Sequence, residues 1–384
     1  MDANATPRVA LVHDWLTGMR GGEKCLEVLC RRWPQAQLFT LLHRSGSVSS
    51  AIEDLPRNTT FLHHLPGVSR YYRYLLPAMP LAAATWRLPP CDLVVSFSHC
   101  VAKSARPPRD VPHVCYCFTP MRYAWHMRDS YFGKDRVNGL KARLLSRLLA
   151  ELRDWDRRTA DAVTYFLAIS RTVQQRIREC YGRESSVIYP PVDTDFYCPA
   201  PVARSDYYLA VSAFAPYKRL DLAISACNRL QRPLVIIGTG QDGHRLQRMA
   251  GPTVQFLGWQ TDEQVRHHLR RCRALLFPGE EDFGIVPVEA QACGAPVIAF
   301  GRGGATETVV PHGGRREPTG VFFAEQSVES LLDAMTRFES HAHEFAAAPT
   351  RRQALRFNAT RFREELFGYV DGVLQSAVSE RIAA

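Results

Sequence analysis

Residues Gly279–Gly294 read GEEDFGIVPVEAQACG and carry two carboxylates eight positions apart, Glu281 and Glu289. The apolar stretch Ala274–Pro278 before them reads as a strand. The run Ile285–Cys293 has helical amphipathic spacing, and Gly294 with Pro296 stops it. Glu281 therefore falls on the loop leaving a strand, and Glu289 one turn into the next helix. In a parallel α/β sheet that loop opens onto the crevice at the carboxyl ends of the strands, where such sheets take their ligands. A carboxylate there accepts two hydroxyl hydrogen bonds in fixed geometry, so the pair fits a hydroxyl-rich ligand such as a nucleotide-sugar.

Outward from this stretch, strand-like and helical runs alternate, the pattern of βαβ units and a parallel sheet. Strands are predicted at Val9–His13, Leu93–Phe97, Val114–Phe118 and Phe166–Ser170, and helices at Glu23–Trp33, Leu140–Ala160 and Thr172–Tyr181, with Gly21–Gly22 in a loop. A second series has strands at Tyr208–Val211, Leu234–Ile237, Val254–Leu257, Ala274–Phe277 and Val297–Phe300. It closes on a long amphipathic helix over Arg351–Val378 that carries Phe357, Phe362 and Phe367. Between the two series, VIYPPVDTDFYCP (Val187–Pro199) is stiff and extended, because two adjacent prolines and several aspartates favour turns over helix. The domain boundary is expected there.

A chain of 384 residues makes two domains of ordinary size, and 46% apolar against 22% charged residues lets each bury a core. The start MDANATPR is polar and Val9–Val12 is too short for a signal core, so no signal peptide is expected. The longest apolar run, Leu75–Trp86, is broken by Pro77 and Pro80 and falls short of the ~20 residues that cross a bilayer. A cytoplasmic location follows. The net charge of +10 is uneven: residues 1–200 hold 27 Lys+Arg against 18 Asp+Glu, and residues 201–384 hold 21 against 20. A first half at +9 beside a second at +1 points to an anionic partner for the first, such as lipid-linked phosphate or an anionic membrane surface. An arginine-rich solvated face is the plainer reading. Eleven cysteines, an odd number without a secretion signal, read as free thiols in a reducing compartment. No spaced Cys/His quartet marks a metal, and none is expected.

Four further motifs sit between strand and helix. GRGGATET (Gly301–Thr308) would bare the N–H groups of Gly303 and Gly304 at a helix N-terminus, which suits a diphosphate. APYKRLD (Ala215–Asp221) keeps Lys218, the only lysine after residue 141 in a chain of 43 Arg and 5 Lys. A compact ammonium retained there hints at a point-charge contact with a phosphate oxygen; a surface lysine is the alternative. GTGQDG (Gly238–Gly243) matches the dinucleotide fingerprint, but it follows the second strand of its series rather than the first, and reads as a tight turn. His99, in SFSHCVAK just past an apolar strand, can face the crevice and act on a reacting group, or can be structural. Met121–His126, within TPMRYAWHM, offers Arg122 and Trp125 as a sugar-stacking acceptor surface or a packed loop. Ser69–Trp86 and Lys141–Arg158 mix bulky apolar residues with arginine, as core-facing helices do and as membrane-surface helices do.

Taken in order, GMRGGEK, SFSHCVAK, HVCYCFTPMRYAW, VIYPPVDTDFY, PYKRLDLAI, GEEDFGIVPVEAQACG and GRGGATETV closely resemble family 4 of the retaining glycosyltransferases, over nearly the whole chain. The start HDWLTGMRGGEK and the segment TPMRYAW resemble the mannosyltransferases of bacterial surface-polysaccharide assembly. The resemblance implies the GT-B architecture: two Rossmann-like, doubly wound parallel-sheet domains facing across a cleft. Residues 1–190 would bind the acceptor, completed by a helix at about 360–384 that crosses back, and residues 191–359 would bind the donor. It implies that Lys218, Arg219, Gly21 and Gly22, and amides near Phe283, Gly284 and Ile285, meet the donor diphosphate. Glu281 would hold the donor sugar and Glu289 the ribose, while His99 would face the anomeric centre. No cofactor or metal would be needed, since lysine and helix dipoles neutralise the leaving diphosphate.

Two positions depart from the family pattern. Many members carry Gly-Arg where this chain has Ser212–Ala213, and Arg219 is the nearest substitute for the lost guanidinium; Phe118 stands where relatives often have His. The expected activity is transfer of a hexose, with mannose from GDP-mannose favoured, to a lipid-linked saccharide, by a cytoplasmic protein peripheral on the membrane. The alternatives are a UDP-sugar-dependent transferase of the same fold, a non-catalytic sugar-nucleotide-binding protein, and a nicotinamide oxidoreductase. Nucleic acid is not an expected partner, since no aromatic-and-basic recognition module is present.

Overall fold

The strand Val9–His13 (β1) is buried at every residue, as a central strand covered on both faces must be. In the computed structural model, which describes residues 6–125 and 140–383, this strand sits inside a seven-stranded sheet. The chain divides into one unit of Met1–Pro191 with Phe362–Ala384 and a second of Val192–Arg361, so the division falls inside the proline-rich segment.

In the first unit, β1 is followed by helix α1 (Gly21–Arg32) and the strands Gln37–Thr40 (β2), Arg57–Asn58 (β3), Leu93–Ser98 (β4) and His113–Cys117 (β5). Helix α2 (Leu140–Thr159), strand Tyr165–Ala168 (β6), helix α3 (Arg171–Tyr181) and strand Ser185–Val187 (β7) complete the series. Every pairing is parallel, in the order β3-β2-β1-β4-β5-β6-β7. The carboxyl ends of β1 and β4 lie side by side, His13 opposite Phe97. The strand order reverses there, which is the switch point where such sheets open a crevice.

The second unit repeats the plan. Its strands are Tyr208–Val211 (β8), Leu234–Ile237 (β9), Val254–Gly258 (β10), Ala274–Phe277 (β11), Val297–Phe300 (β12) and Gly320–Phe323 (β13). Its helices include α4 (Leu220–Leu230), α5 (Ile285–Ala292) and α6 (Val328–Ser340). The order β10-β9-β8-β11-β12-β13 is all parallel and again Rossmann-like, with its switch point between β8 and β11. An apolar cluster including Tyr208, Ile224, Ile236, Leu276 and Phe338 packs α4 and α6 onto this sheet.

Several expectations need correction. Gly21–Gly22 are not a loop but the first two residues of α1, which the capping arrangement of Arg20 and Glu23 starts early. The strands β2, β3, β7 and β13 were not predicted; β3 and β7 are too short to show a period, and β13 starts at a glycine. The single helix over 351–378 is two helices, Ala347–Leu355 and α7 (Ala359–Ala383). Asn358 makes the break by accepting the N–H of Arg361, as an N-cap does. Beyond the break, α7 packs on the first unit: Asp371 lies 2.6 Å from Arg32, whose guanidinium also covers Phe367, and Phe362 meets Tyr116 edge-on at 5.7 Å. Among the described residues no helix is long and apolar enough to cross a membrane.

Candidate functional site

Asp14 follows the last residue of β1, and His99 follows the last residue of β4, so the chain delivers both to the first unit's switch point. Asp14 is fully buried. Its Oδ2 accepts the backbone N–H groups of His99 (2.7 Å) and Cys100 (3.0 Å), and its Oδ1 those of Val101 (2.6 Å) and Ala102 (2.7 Å). The His99 ring adds a further contact, Nδ1 to Oδ2 at 2.9 Å. Burial alone would push the Asp14 carboxyl up; the charge and hydrogen bonds of His99 outweigh it and bring it down to about 2. The pairing puts the proton on Nδ1, which makes Nε2 the accepting nitrogen of the neutral ring. Trp15 packs edge-on against the same ring at 4.4 Å and fixes its plane.

Beside it, His13 is buried with its Nδ1 on the carbonyl of Trp15, and burial holds its imidazole below the usual range. A Cβ on Gly22 would stand 3.3 Å from the Phe118 ring, so the start of α1 lies close under that aromatic. Trp125 donates its indole N–H to Asp156 at 2.9 Å, and Arg153 covers its ring at 5.4 Å. Arg122 is half-buried on the same segment, and His126 lies outside the described residues. Asp156 also accepts the Tyr181 hydroxyl (2.8 Å) and pairs with Lys103 (2.9 Å), a lysine with 1% exposure. This buried knot ties the His99 loop to α2 and α3.

In the second unit, β8 ends before the Lys218 loop and β11 before the Glu281 loop, so both residues flank the β8/β11 switch point. Their side chains meet in an ion pair, Lys218 Nζ to Glu281 Oε1, with both side chains largely shielded. Gly284, at a positive φ of 87°, is the N-cap of α5, and Phe283, Gly284 and Ile285 therefore present the helix N-terminus on this side. Glu289 lies in the second turn of α5, 8% exposed, and its charge is among the influences holding the Tyr197 hydroxyl above its usual range, after burial.

Two expected phosphate contacts take another form. Arg219 turns its guanidinium onto Asp221, with Nε and Nη2 at 3.1 and 3.0 Å, and Nη1 donates to the Gln326 carbonyl. An acid two residues on satisfies the fork locally, so Arg219 staples its turn rather than replacing the guanidinium lost at Ala213. Gly304 does not bare its N–H: it donates to the Glu281 carbonyl at 2.8 Å. A Cβ on Gly304 would lie 2.2 Å from Phe283 Cα, and one on Gly303 2.4 Å from the Glu281 carbonyl oxygen. These glycines let two loops touch, and thereby set the position of Glu281. The Gly238–Gly243 turn likewise packs on β8's exit loop through Phe214 N–H to the Thr239 carbonyl.

Comparison with known proteins agrees with this layout. Residues 19–196 match the family model "Glycosyltransferase Family 4", and residues 200–356 match "Glycosyl transferases group 1". The chain belongs to the family 4 glycosyltransferases. A GDP-mannose-dependent alpha-(1-6)-phosphatidylinositol monomannoside mannosyltransferase of Mycobacterium tuberculosis H37Rv is 30% identical over 210 residues, 47% of this chain and 53% of that protein. A D-inositol 3-phosphate glycosyltransferase of Mycobacteroides abscessus is 30% identical over 171 residues, 39% and 38% of the two chains. The chain spans about half the length of the first of these relatives and less of the second. Among solved structures, Anabaena HepE in complex with UDP superposes with a TM-score of 0.69 at 17% identity, over 95% of this chain and all of that one. WaaG, a glycosyltransferase involved in lipopolysaccharide biosynthesis, gives 0.64 at 16%, over 93% and 98%. The fold of this family 4 glycosyltransferase is GT-B.

Sequence reading did not nominate Asp14 or the Lys103–Asp156 pair. An acid directly after the strand Val9–His13, apolar but for its last residue, was the available signal for the first. For the second, the rarity of lysine that drew attention to Lys218 applies equally to Lys103. It also missed a concavity of about 450 Å3 in the second unit, away from the paired glutamates, lined by Arg315, Arg316, Arg352 and Arg356 around Gln353.

Proposed function

We propose that this chain is a retaining hexosyltransferase that moves a sugar, mannose from GDP-mannose favoured, from a nucleotide-sugar to a lipid-linked or oligosaccharide acceptor of surface-polysaccharide assembly. The observation that carries the reading is the Lys218–Glu281 ion pair at the β8/β11 switch point. Each is the other's counter-ion. When donor enters, the diphosphate takes the ammonium, and the freed carboxylate accepts hydroxyls of the sugar. Glu289 holds the ribose, and the α5 N-terminus at Phe283, Gly284 and Ile285 faces the diphosphate.

Lys218 and the helix end stabilise the charge that develops as the bond from the anomeric carbon to the phosphate oxygen breaks. The acceptor hydroxyl forms its bond on the same face, and its proton passes to the departing phosphate. The first unit contributes the N-terminus of α1 at Gly21–Gly22, and His99 beside the transferring sugar, held as a Nδ1–H tautomer by Asp14. Arg122 and Trp125 belong to the acceptor side. The transfer itself needs no metal or cofactor. Mannose is favoured because the Mycobacterium tuberculosis relative is named for GDP-mannose; a UDP-sugar is the second reading, because the HepE structure holds UDP.

A peripheral membrane location fits the +9 charge of residues 1–200 and the exposed Tyr74, Leu81 and Leu144 beside Arg70, Arg73 and Arg143. The experiment is a thermal-shift screen of the purified chain with GDP-mannose, UDP-glucose and UDP-galactose, followed by a transfer assay with the donor that binds. GDP-mannose is expected to raise the melting temperature, and Glu281→Gln to abolish transfer while the variant still melts cooperatively. Near-normal transfer by Glu281→Gln, or no shift with any donor, would overturn the reading.

A further inference from the structure

Away from the donor residues, the second unit gathers three side chains with metal-binding chemistry. His312 stands in the loop that leads to β13, while His341 and Glu344 stand where α6 ends in the 3-10 turn Ala342–Glu344. One ligand atom from each lies within 4.8 Å of the other two. We propose that His312, His341 and Glu344 form a binding site for a zinc-class divalent cation, a clip distinct from the transfer chemistry that fastens the β13 loop to the end of α6.

The local backbone makes the pattern. His341 and Glu344 are three residues apart on a 3-10 turn, closed by the Glu344 N–H donating to the His341 carbonyl at 2.9 Å. Side chains three apart on such a turn eclipse, so both project from one side. His341 Nδ1–H donates to the Arg337 carbonyl at 2.9 Å. That is the outer hydrogen bond a metal-bound imidazole makes: it fixes the tautomer and leaves the Nε2 lone pair outward. His312 Nε2 lies 3.0 Å from Glu344 Oε2, with a proton between them. A cation takes that proton's place and coordinates both atoms, and the proton leaves to solvent.

The ligands rest on a packed floor. The His312 ring lies 4.5 Å from that of His341 and 5.8 Å from Phe345, and Phe345 lies 5.1 Å from buried Phe338. The His312 backbone is held by its N–H to the Gly320 carbonyl at 2.9 Å. Zinc bonds to imidazole and carboxylate are about 2.0–2.2 Å, so ligand atoms on one ion stand no more than about 4.4 Å apart. Half-exposed side chains can close the remaining margin by rotation. Two imidazoles and one carboxylate suit zinc with the fourth position open to water, and disfavour magnesium and calcium, which take oxygen ligands. The sequence hid the set because its members come from separate elements and include no cysteine.

The test uses the full chain, stripped with EDTA and dialysed, then titrated with ZnCl2 by calorimetry and with CoCl2 by visible absorption. One equivalent is expected to bind, and zinc to raise the melting temperature of the parent chain. His312→Ala and His341→Ala should each weaken binding by more than about 100-fold, beyond the loss from an outer-shell change, and should abolish the zinc-induced shift. Their metal-free melting temperatures should match that of the parent, which separates lost ligation from lost fold. The cobalt spectrum should show tetrahedral bands without a thiolate charge-transfer band. No binding, unchanged binding in the variants, or a thiolate band placing the metal on a cysteine such as Cys198 would overturn the assignment. None of these readouts depends on glycosyl transfer.

Discussion

At Asp14, four backbone N–H groups and the His99 imidazole converge on one buried carboxylate, a set of donors that only an anion with two accepting oxygens satisfies. Asparagine has the same shape but turns an amide NH2 toward two of those donors. Asp14→Asn is therefore expected to cost about 3 kcal/mol, the scale of breaking buried bonds to a charged group. It should also lower turnover at least about 100-fold, because His99 loses the partner that fixes its tautomer. Urea melts and transfer rates measured on the same preparation separate the two effects. A turnover loss no greater than the loss of folded protein would leave Asp14 a purely structural group. Glu281 was legible in the sequence as one of two carboxylates on the loop and helix after an apolar strand, Lys218 as a rare lysine on a strand-to-helix loop, and His99 as a polar residue just past another apolar strand. Asp14 meets the same criterion yet was passed over, because its weight comes from backbone donors nearly ninety residues on, which no local pattern displays. Arg219 shows the opposite limit: its charge was visible in the sequence, but nothing there showed that Asp221, two residues on, holds its guanidinium.

Several strands follow their local patterns where burial is complete or nearly so. β1, β8, β9, β11 and β12 have the residues their apolar runs predicted, since a continuous apolar segment has defined ends. The helix break at 356–358 escaped notice because Phe357, Phe362 and Phe367 keep an apolar spacing across it, though Asn358 was a cap signal in plain view. Loop contacts are the least legible level. Gly303 and Gly304 read as a phosphate cradle, whereas they serve a close approach between the loop after β12 and the loop after β11. Gly304→Ala tests that distinction. Its methyl would overlap Phe283 Cα, backbone that cannot yield as a flexible side chain does, so the Glu281 loop must shift. A loss of about 2 kcal/mol is expected, in the range of overpacked substitutions, together with weaker donor binding. Calorimetry with the donor nucleotide-sugar checks the second part; unchanged affinity would mean that the loop contact does not govern the position of Glu281.

Over the whole chain, charge was read from composition, and composition averages away what folding concentrates. The nearly neutral half, at +1, holds the arginine-lined concavity, because Arg315, Arg316, Arg352 and Arg356 come together from a loop and a helix around a single lining acid, Glu317, which pairs with Arg352. The same averaging hides how stability depends on pH, which folding sets through buried groups. His113 is fully buried between Ser96 and the Ala162 carbonyl, and burial brings its imidazole down to about 4; burial lowers His13 as well. Between about pH 6.5 and 4 the unfolded chain binds protons that these native imidazoles refuse, so their contribution is whole above 6.5 and is lost as pH falls. The thiols act on the other side. Burial pushes Cys30, Cys180, Cys227, Cys272 and Cys293 up to about 12, and holds Cys100 and Cys117 well above the usual thiol range. Above about pH 9 the unfolded chain releases thiol protons that the native state keeps, and stability is lost as pH rises. Each fully displaced group changes stability by about 1.4 kcal/mol per pH unit, so two fully buried imidazoles, joined by the partly buried and likewise lowered His63 and His268, give a shallower acid flank than seven thiols give on the alkaline side. Urea midpoints measured from pH 5 to 10 under reducing conditions should therefore hold level between about 6.5 and 9 and fall much faster above that plateau than below it. Flanks of equal slope, or a midpoint that stays level past pH 10, would contradict the burial of the cysteines on which both cores depend.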